Sequence, residues 1–283
     1  MQKHIFKRII NRLRWIVLSR TPSIDFILNV FRGRGYYKRF DSEFNFQTFM
    51  AHAGGAIQNI KYSNSKEALD SSYAKGFRLI EIDICLTTDG ALVLVHDWDK
   101  IFSTLFKNSS GIQTLQGFLS LKMKGKLTQL SFPHLANWMQ LHPEVSILLD
   151  SKKDPVKTYK KIITEYPSLA HNLIPEVWSF SQYFSVLKMG YSKVVFEKGY
   201  YSDFLLINFF KTHPVTAISL PPNICNSKLP KELLNNNIKS YVYGVNDIKL
   251  MKQLFHLGVH AISTDFLEIS EMQKYNPTSS HLA

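Results

Sequence analysis

A chain of 283 residues, 45% of them hydrophobic, is long enough for one large domain with a substantial core. Its only two cysteines, Cys85 and Cys225, exclude a disulfide framework and fit a reducing compartment. The net charge of +12 is concentrated: ten of the 34 Lys and Arg residues lie in residues 1–40 beside one acid, Asp25. A basic head on a nearly neutral body does not fit a nucleic-acid enzyme, which lines its groove with cations, so no nucleic-acid partner is expected.

The head comes first in the chain. In residues 5–18, Ile5, Phe6, Ile9, Ile10, Leu13, Ile16 and Val17 share one helical face, and Lys7, Arg8, Asn11, Arg12 and Arg14 take the other. A basic amphipathic helix of this kind either packs on the body or lies in a bilayer interface, with its arginines on anionic headgroups. The arginine density favours the anionic membrane surface. A second apolar stretch, 24–31, follows a helix-start signal at Thr21-Pro22-Ser23. Neither stretch spans a bilayer, because charges interrupt the first and the second is short. No small-residue cleavage site follows to make a signal peptide. The expected organisation is a basic segment over 1–40 and a barrel domain over 41–283, cytoplasmic and peripheral to the inner face of the membrane.

The body alternates strand-like apolar runs with helical patterns. Strands are expected at 49–54, 79–86, 145–150, 173–178, 193–197, 216–220, 240–244 and 261–264, with helices over 65–75, 154–166, 181–189, 203–211, 229–236 and 247–256 between them. Eight βα units predict an α/β fold of the closed parallel (β/α)8, or TIM, barrel type. The run 91–96 is a ninth strand, joined to the second by a hairpin. An open doubly wound sheet is the alternative, but no Gly-rich phosphate fingerprint follows the first strand. Residues 98–144 form one long connection, with a helix over 132–141, placed to lie over the barrel mouth and shape the pocket. The tail after Tyr275 is polar and is expected to fray.

Chemistry gathers between His52 and Lys152. Glu81 and Asp83 are two apart, so on a strand they share a face, while Ile80, Ile82 and Ile84 take the other. Two inward acids repel and are poorly hydrated unless a cation joins them, and oxygen ligands suit one divalent cation, Mg2+ or Ca2+. Asp150, at the end of the third barrel strand, is the natural third ligand. The hairpin brings His96 beside the carboxylates in either of two registers. An Asp89-Gly90 turn pairs it with Asp83, and a Thr88-Asp89 turn pairs it with Glu81; Asp-Gly favours the first. His52 enters from the adjacent strand, so His52 and His96 form a candidate acid/base pair. Asp97 orients His96 or caps the next loop. Lys152 follows Asp150 by two and can neutralise a phosphoryl oxygen.

Several ordered motifs carry a resemblance: His52 with Gly54, the helix spanning 67–77, Glu81-x-Asp83, Thr88-Asp89-Gly90, and Leu94-Val95-His96-Asp97. Leu148-Leu149-Asp150-Ser151-Lys152, Tyr243-Gly244-Val245-Asn246 and the run 258–265 ending in Thr264-Asp265 continue it. Over about residues 48–268 the chain resembles the glycerophosphodiester phosphodiesterase family, within the barrel phosphodiesterases that include phosphatidylinositol phospholipase C. The resemblance implies His52 and His96 as acid/base residues, Glu81, Asp83 and Asp150 as metal ligands, and Lys152 as a phosphate contact. The implied reaction attacks phosphorus with a neighbouring hydroxyl, expels an alcohol, and opens the cyclic phosphate with water. Glycerophosphodiesters or lysolipid-like diesters are the implied substrates. The chain departs from the family at Ala53, where an arginine is usual, at Ser63, where an acid is usual, and at Asp150, usually Glu. Asp150, together with the absence of an arginine after His52, also resembles the related phospholipase D-like barrels. Arg78 and Lys61 are candidate replacements for the missing cation. A membrane-recruited binding protein without turnover is the reading from another class.

Overall fold

The computed structural model describes residues 39–107, 109 and 111–275. The expected membrane helix at 5–18, the stretch 24–31 and the tail after Tyr275 lie outside the described residues. Among the described residues no helix is long and apolar enough to cross a membrane.

Eight parallel strands close a barrel. They are β1 (Phe49–Ala51), β2 (Leu79–Leu86), β4 (Ser146–Asp150), β5 (Leu173–Val177), β6 (Val195–Glu197), β7 (Ala217–Leu220), β8 (Ser240–Val242) and β9 (Ala261–Thr264). The order runs β1-β9-β8-β7-β6-β5-β4-β2, and β1 pairs back to β2 through Ala51 and Ile80. A short β3 (Leu92–Leu94) lies antiparallel on β2. All eight expected barrel strands are present, mostly trimmed by a residue or two at their ends. The largest trim matters: β1 ends at Ala51, and His52–Gly54 form a tight turn.

The alternation seen in the sequence now has two destinations. Leu79, Leu148, Ile174, Val195, Ala217, Tyr241 and Ala261 fill the barrel interior with Met50 and Phe46. Ile80, Ile82, Ile84, Ile147 and Leu149 face outward into the layer between strands and helices. Parallel strands buried on both faces read as unbroken apolar runs, which is why the two faces do not differ in polarity. Helices α1 (Lys66–Ala74), α4 (Phe132–Leu141), α5 (Pro155–Glu165), α6 (Phe180–Met189), α7 (Asp203–Phe210), α8 (Leu229–Asn235) and α9 (Ile248–His256) cover the outside. Ser65 caps α1 by accepting from the Ala68 amide at 3.2 Å.

The connection after β3 carries α2 (Lys100–Leu105) and α3 (Leu115–Ser120) before α4. It has its own apolar centre, in which Trp98, Phe102, Phe106 and Phe118 pack on Cys85, Val93 and Val95 of the hairpin. It therefore buries the hairpin face that carries Cys85, Val93 and Val95, the same face that continues from Glu81 and Asp83 beyond the barrel. None of its described residues lines the cavity at the barrel mouth, which corrects the expectation that it shapes the pocket.

The hairpin register also differs from both expected alternatives. Ile84 pairs with Leu94, Cys85 with Val93 and Leu86 with Leu92. That register is closed by a three-residue loop, Thr88-Asp89-Gly90, between Thr87 and Ala91. The Thr87 amide donates to the Ala91 carbonyl (2.9 Å) and the Gly90 amide to the Thr87 carbonyl (3.1 Å). Gly90 takes φ +77°, the left-handed residue that such a loop requires. Continued in register, the ladder would set His96 opposite the outward-facing Ile82. Instead β3 stops at Leu94 and the chain turns, which carries His96 to the mouth.

Candidate active site

The C-terminal ends of the strands hold a cavity of about 310 Å³, and His52, Tyr62, Glu81, His96, Asp150 and Lys152 form one side of it. Glu81 and Asp83 project inward from β2 and are 5% and 2% exposed. Asp83 is the direct register partner of Asp150 on β4. One carboxylate oxygen from each of Glu81, Asp83 and Asp150 lies within 4.8 Å of the other two. The sequence placed these three acids together, and they are together.

Three carboxylates at this spacing are unstable as free anions in a buried site. The Lys152 ammonium offsets part of the repulsion, at 3.0 Å from Asp83 Oδ1 and 2.5 Å from Asp150 Oδ2. Burial, and then the neighbouring Asp83 and Asp150 carboxylates, push the Glu81 carboxyl well above its ordinary range. Burial opposes ionisation of Asp83 too, but Lys152, the imidazoles and the Asn64 amide hold it below its ordinary value. Asp150 Oδ1 is buried with no hydrogen-bond partner. A hard oxygen set with an orphaned carboxylate oxygen and one ammonium against three acids fits a divalent cation.

The histidines stand on separate supports. His52 Nδ1 lies 3.0 Å from Asp265 Oδ1, and its Nε2 is 4.0 Å from Glu81 Oε2. His96 Nδ1 lies 2.6 Å from Asp97 Oδ2. The other Asp97 oxygen accepts the Asp99 and Ile101 amides, so Asp97 both orients His96 and caps the loop into α2. With Nδ1–H donated to a carboxylate, the neutral ring of each histidine keeps Nε2 as its proton acceptor.

Several supporting residues had a place in the sequence motifs but no role. The Asn246 amide donates to Asp265 Oδ2 at 2.7 Å, and its carbonyl accepts the Asp265 amide at 2.8 Å and the Thr264 hydroxyl at 3.0 Å. The Val245-Asn246 and Thr264-Asp265 motifs are thus one device that fixes the His52 carboxylate. Burial opposes ionisation of Asp265, yet His52 and Asn246 hold its carboxyl below the usual range. Asn64 grips Asp83 twice, donating to Oδ2 and accepting its amide, both at 3.0 Å. At the missing arginine, Ala53 takes φ +48° and its amide donates to Glu81 Oε2 at 2.5 Å. The turn is locked by Ser72, whose hydroxyl donates to the Gly54 carbonyl and leaves no room for a Cβ at Gly55.

Of the two cations considered as replacements, Arg78 is excluded. It precedes β2 at the opposite end of the barrel, bonded to the Tyr73 and Phe77 carbonyls and paired with Glu144. Lys61 is at the rim, 3.4 Å from Asp265 Oδ2.

Glu176, Glu197, Trp178 and Tyr243 form the far wall, and no motif pointed to the two acids. The signal was available, since Glu176 and Glu197 share the inward parity of Ile174 and Val195 on short strands. Burial and the Asp150 charge push Glu176 up to about 8, and Tyr241 donates to it at 3.1 Å.

A closed parallel barrel with two imidazoles and a carboxylate cluster gathered at its mouth defines an enzyme of the barrel hydrolase class. Residues 52–225 match the model of the glycerophosphoryl diester phosphodiesterase family, and the chain belongs to that family of phosphodiester hydrolases. Solved structures share the fold. A glycerophosphodiester phosphodiesterase from Parabacteroides distasonis is 20% identical, covering 83% of this chain and 98% of its own, with a TM-score of 0.65. That from Thermotoga maritima is 19% identical over 82% and 99%, with a TM-score of 0.63. A phosphodiesterase from Oleispira antarctica, solved with the product sn-glycerol-3-phosphate, is 14% identical over 81% and 96%, with a TM-score of 0.66.

Proposed function

We propose that this chain is a metal-dependent glycerophosphodiester phosphodiesterase that uses His52 and His96 as its acid/base pair. The observation that carries the reading is the pair of imidazoles, each tethered at Nδ1 to its own carboxylate, lining one cavity with Lys152 and with Glu81 and Asp150, which cluster with the buried Asp83. One Nε2 takes the proton of the attacking hydroxyl as the new P–O bond forms. The other gives a proton to the departing alcohol oxygen as the old P–O bond breaks. The roles exchange when water opens the cyclic phosphate, and a phosphomonoester is released. Glu81, Asp83 and Asp150 would hold one divalent cation, Mg2+ or Ca2+, which when bound supplies positive charge beside the phosphoryl oxygens. Lys152 adds a fixed ammonium on the same side. Asp265 and Asp97 keep the rings oriented and stabilise each imidazolium as it forms.

The substrates are glycerophosphodiesters or lysolipid-like diesters, reached at an anionic membrane surface through residues 5–18. The +9 head on a nearly neutral body supports that recruitment. The test is phosphomonoester release from a glycerophosphodiester panel with and without EDTA. Release that stops on chelation and returns with Mg2+ or Ca2+ is expected. Binding of diesters with no release from any of them would favour the non-catalytic reading.

A further inference from the structure

Tyr62 belongs to none of the sequence motifs, yet its ring contacts both imidazoles. It meets His52 edge-on at 5.0 Å between centroids and 76°, and His96 at 5.1 Å and 73°. The approach to it is unusual. Within residues 53–64, five non-glycine residues, Ala53, Gln58, Asn59, Tyr62 and Asn64, have left-handed φ. For a bulky aromatic residue that conformation is disfavoured and persists only where the surroundings enforce it.

They do so here from both sides. Ile57 and Ile60 exchange backbone hydrogen bonds at 3.1 and 2.8 Å, and Gly125 packs so closely on Ile60 and Gln58 that a Cβ would collide. On the other side, Asn64 is bolted to Asp83. Strain concentrated beside an acid/base pair marks a position held for function rather than for packing.

The hydroxyl is the remaining clue. It makes no hydrogen bond among the described residues, although the side chain lines the cavity and is half-buried. Partial burial, and then the Asp265, Asp83 and Glu81 carboxylates, push its pKa up, so it stays a neutral donor. The other cations and donors near the imidazoles are committed. Lys152 is held by two carboxylates, Lys61 by Asp265, and the Ala53 amide by Glu81. Trp178 Nε1 also lacks a partner, but it follows β5, across the barrel from the histidines.

We propose that Tyr62 is a catalytic residue whose hydroxyl donates to a non-bridging phosphoryl oxygen while its ring holds the two imidazoles apart around the phosphorus. This rests on the phosphodiesterase reading above. It gives the site a neutral donor where Ala53 supplies no side-chain group.

The test uses the full chain and the variants Tyr62→Phe and Tyr62→Ala, with kcat, KM and the pH–rate profile measured on a glycerophosphodiester. Binding of glycerol 3-phosphate is measured by calorimetry on the same proteins. Phe keeps the ring and suffers the same backbone conformation as Tyr, so it should fold alike. Its kcat/KM is expected to fall roughly 10- to 100-fold, the range for losing a hydrogen bond to a charged group, with both limbs of the pH profile unmoved. Glycerol 3-phosphate should bind it about tenfold more weakly. Ala should lose more activity and shift the limbs, because the imidazoles lose their spacer. A Phe variant with activity and binding both within twofold of the parent overturns the proposal. Should the parent hydrolyse no diester, the phosphodiesterase reading fails, and the binding comparison alone decides the role of the hydroxyl.

Discussion

Asp265 and Asp97 decide which nitrogen of each imidazole faces the cavity, and only the contact of Asp97 with its neighbour His96 could be read from the sequence. Asp265 lies 213 positions from His52, so only the closed barrel joins them. The motif that holds Asp265 was visible, but its purpose depends on Asn246 reaching across from the preceding strand's loop. By contrast, Glu81, Asp83 and Asp150 were legible because inward parity on two adjacent parallel strands is a local property. Asp265→Asn is expected to reduce kcat by at least about tenfold, since an amide no longer enforces the tautomer or stabilises the imidazolium. The check is kcat measured beside an unchanged circular dichroism spectrum. Glu176 gives a stability prediction. Its carboxyl rises from an ordinary 4.5 to about 8 in the folded protein, through burial first and then Asp150. The folded state therefore holds that proton more tightly, and stability is lost as pH climbs from about 4.5 through about 8. Glu176→Gln should raise the melting temperature at pH 8.5 relative to the parent and change it little at pH 4. A melting series in EDTA measures both, and a gap that narrows with rising pH would contradict the assignment.

At the scale of elements, the hairpin shows how a correct local signal can yield an incorrect register. Asp89-Gly90 is a strong two-residue turn signature. Here the Asp89 carboxylate is used elsewhere, accepting the Thr87 hydroxyl at 2.5 Å and the Leu115 amide at 3.0 Å. It thus ties the turn to α3, and Gly90 serves as the left-handed third residue of a longer loop. Nothing in the dipeptide records that Leu115 lies beside it. The helices were more legible, because α1, α6, α7 and α9 carry a Ser or Asp cap, and α4 a capping box, in their own sequence. The long connection expected over the barrel mouth is a small apolar unit packed on the hairpin face that carries Cys85 and Val93. Asp89→Ala should therefore lower the melting temperature and speed amide exchange across Leu115–Ser120, while leaving kcat within about twofold, because no described residue of that unit lines the cavity. Exchange rates followed by mass spectrometry separate the two effects.

For the whole molecule, the barrel was legible because eight buried parallel strands must appear as eight apolar runs, and few other folds need that number between helices. The division of charge was equally plain, and it sets the expected behaviour at membranes. The full chain should sediment with vesicles containing phosphatidylglycerol and not with pure phosphatidylcholine. Arg8→Glu, Arg12→Glu and Arg14→Glu combined should abolish that, as should salt at about 0.5 M, where screening is strong. Sedimentation unaffected by either change would place the membrane contact elsewhere. We propose that His52 and His96 flank a divalent cation in the barrel mouth and split a phosphodiester there. Phosphorus NMR of a glycerophosphodiester incubated with the full chain and Mg2+ or Ca2+ tests it most directly, beside the His52→Ala and His96→Ala variants. The parent should give a phosphomonoester signal that EDTA removes and that each variant loses by roughly a hundredfold or more. Undiminished product from both variants, or from the parent in EDTA, would contradict it.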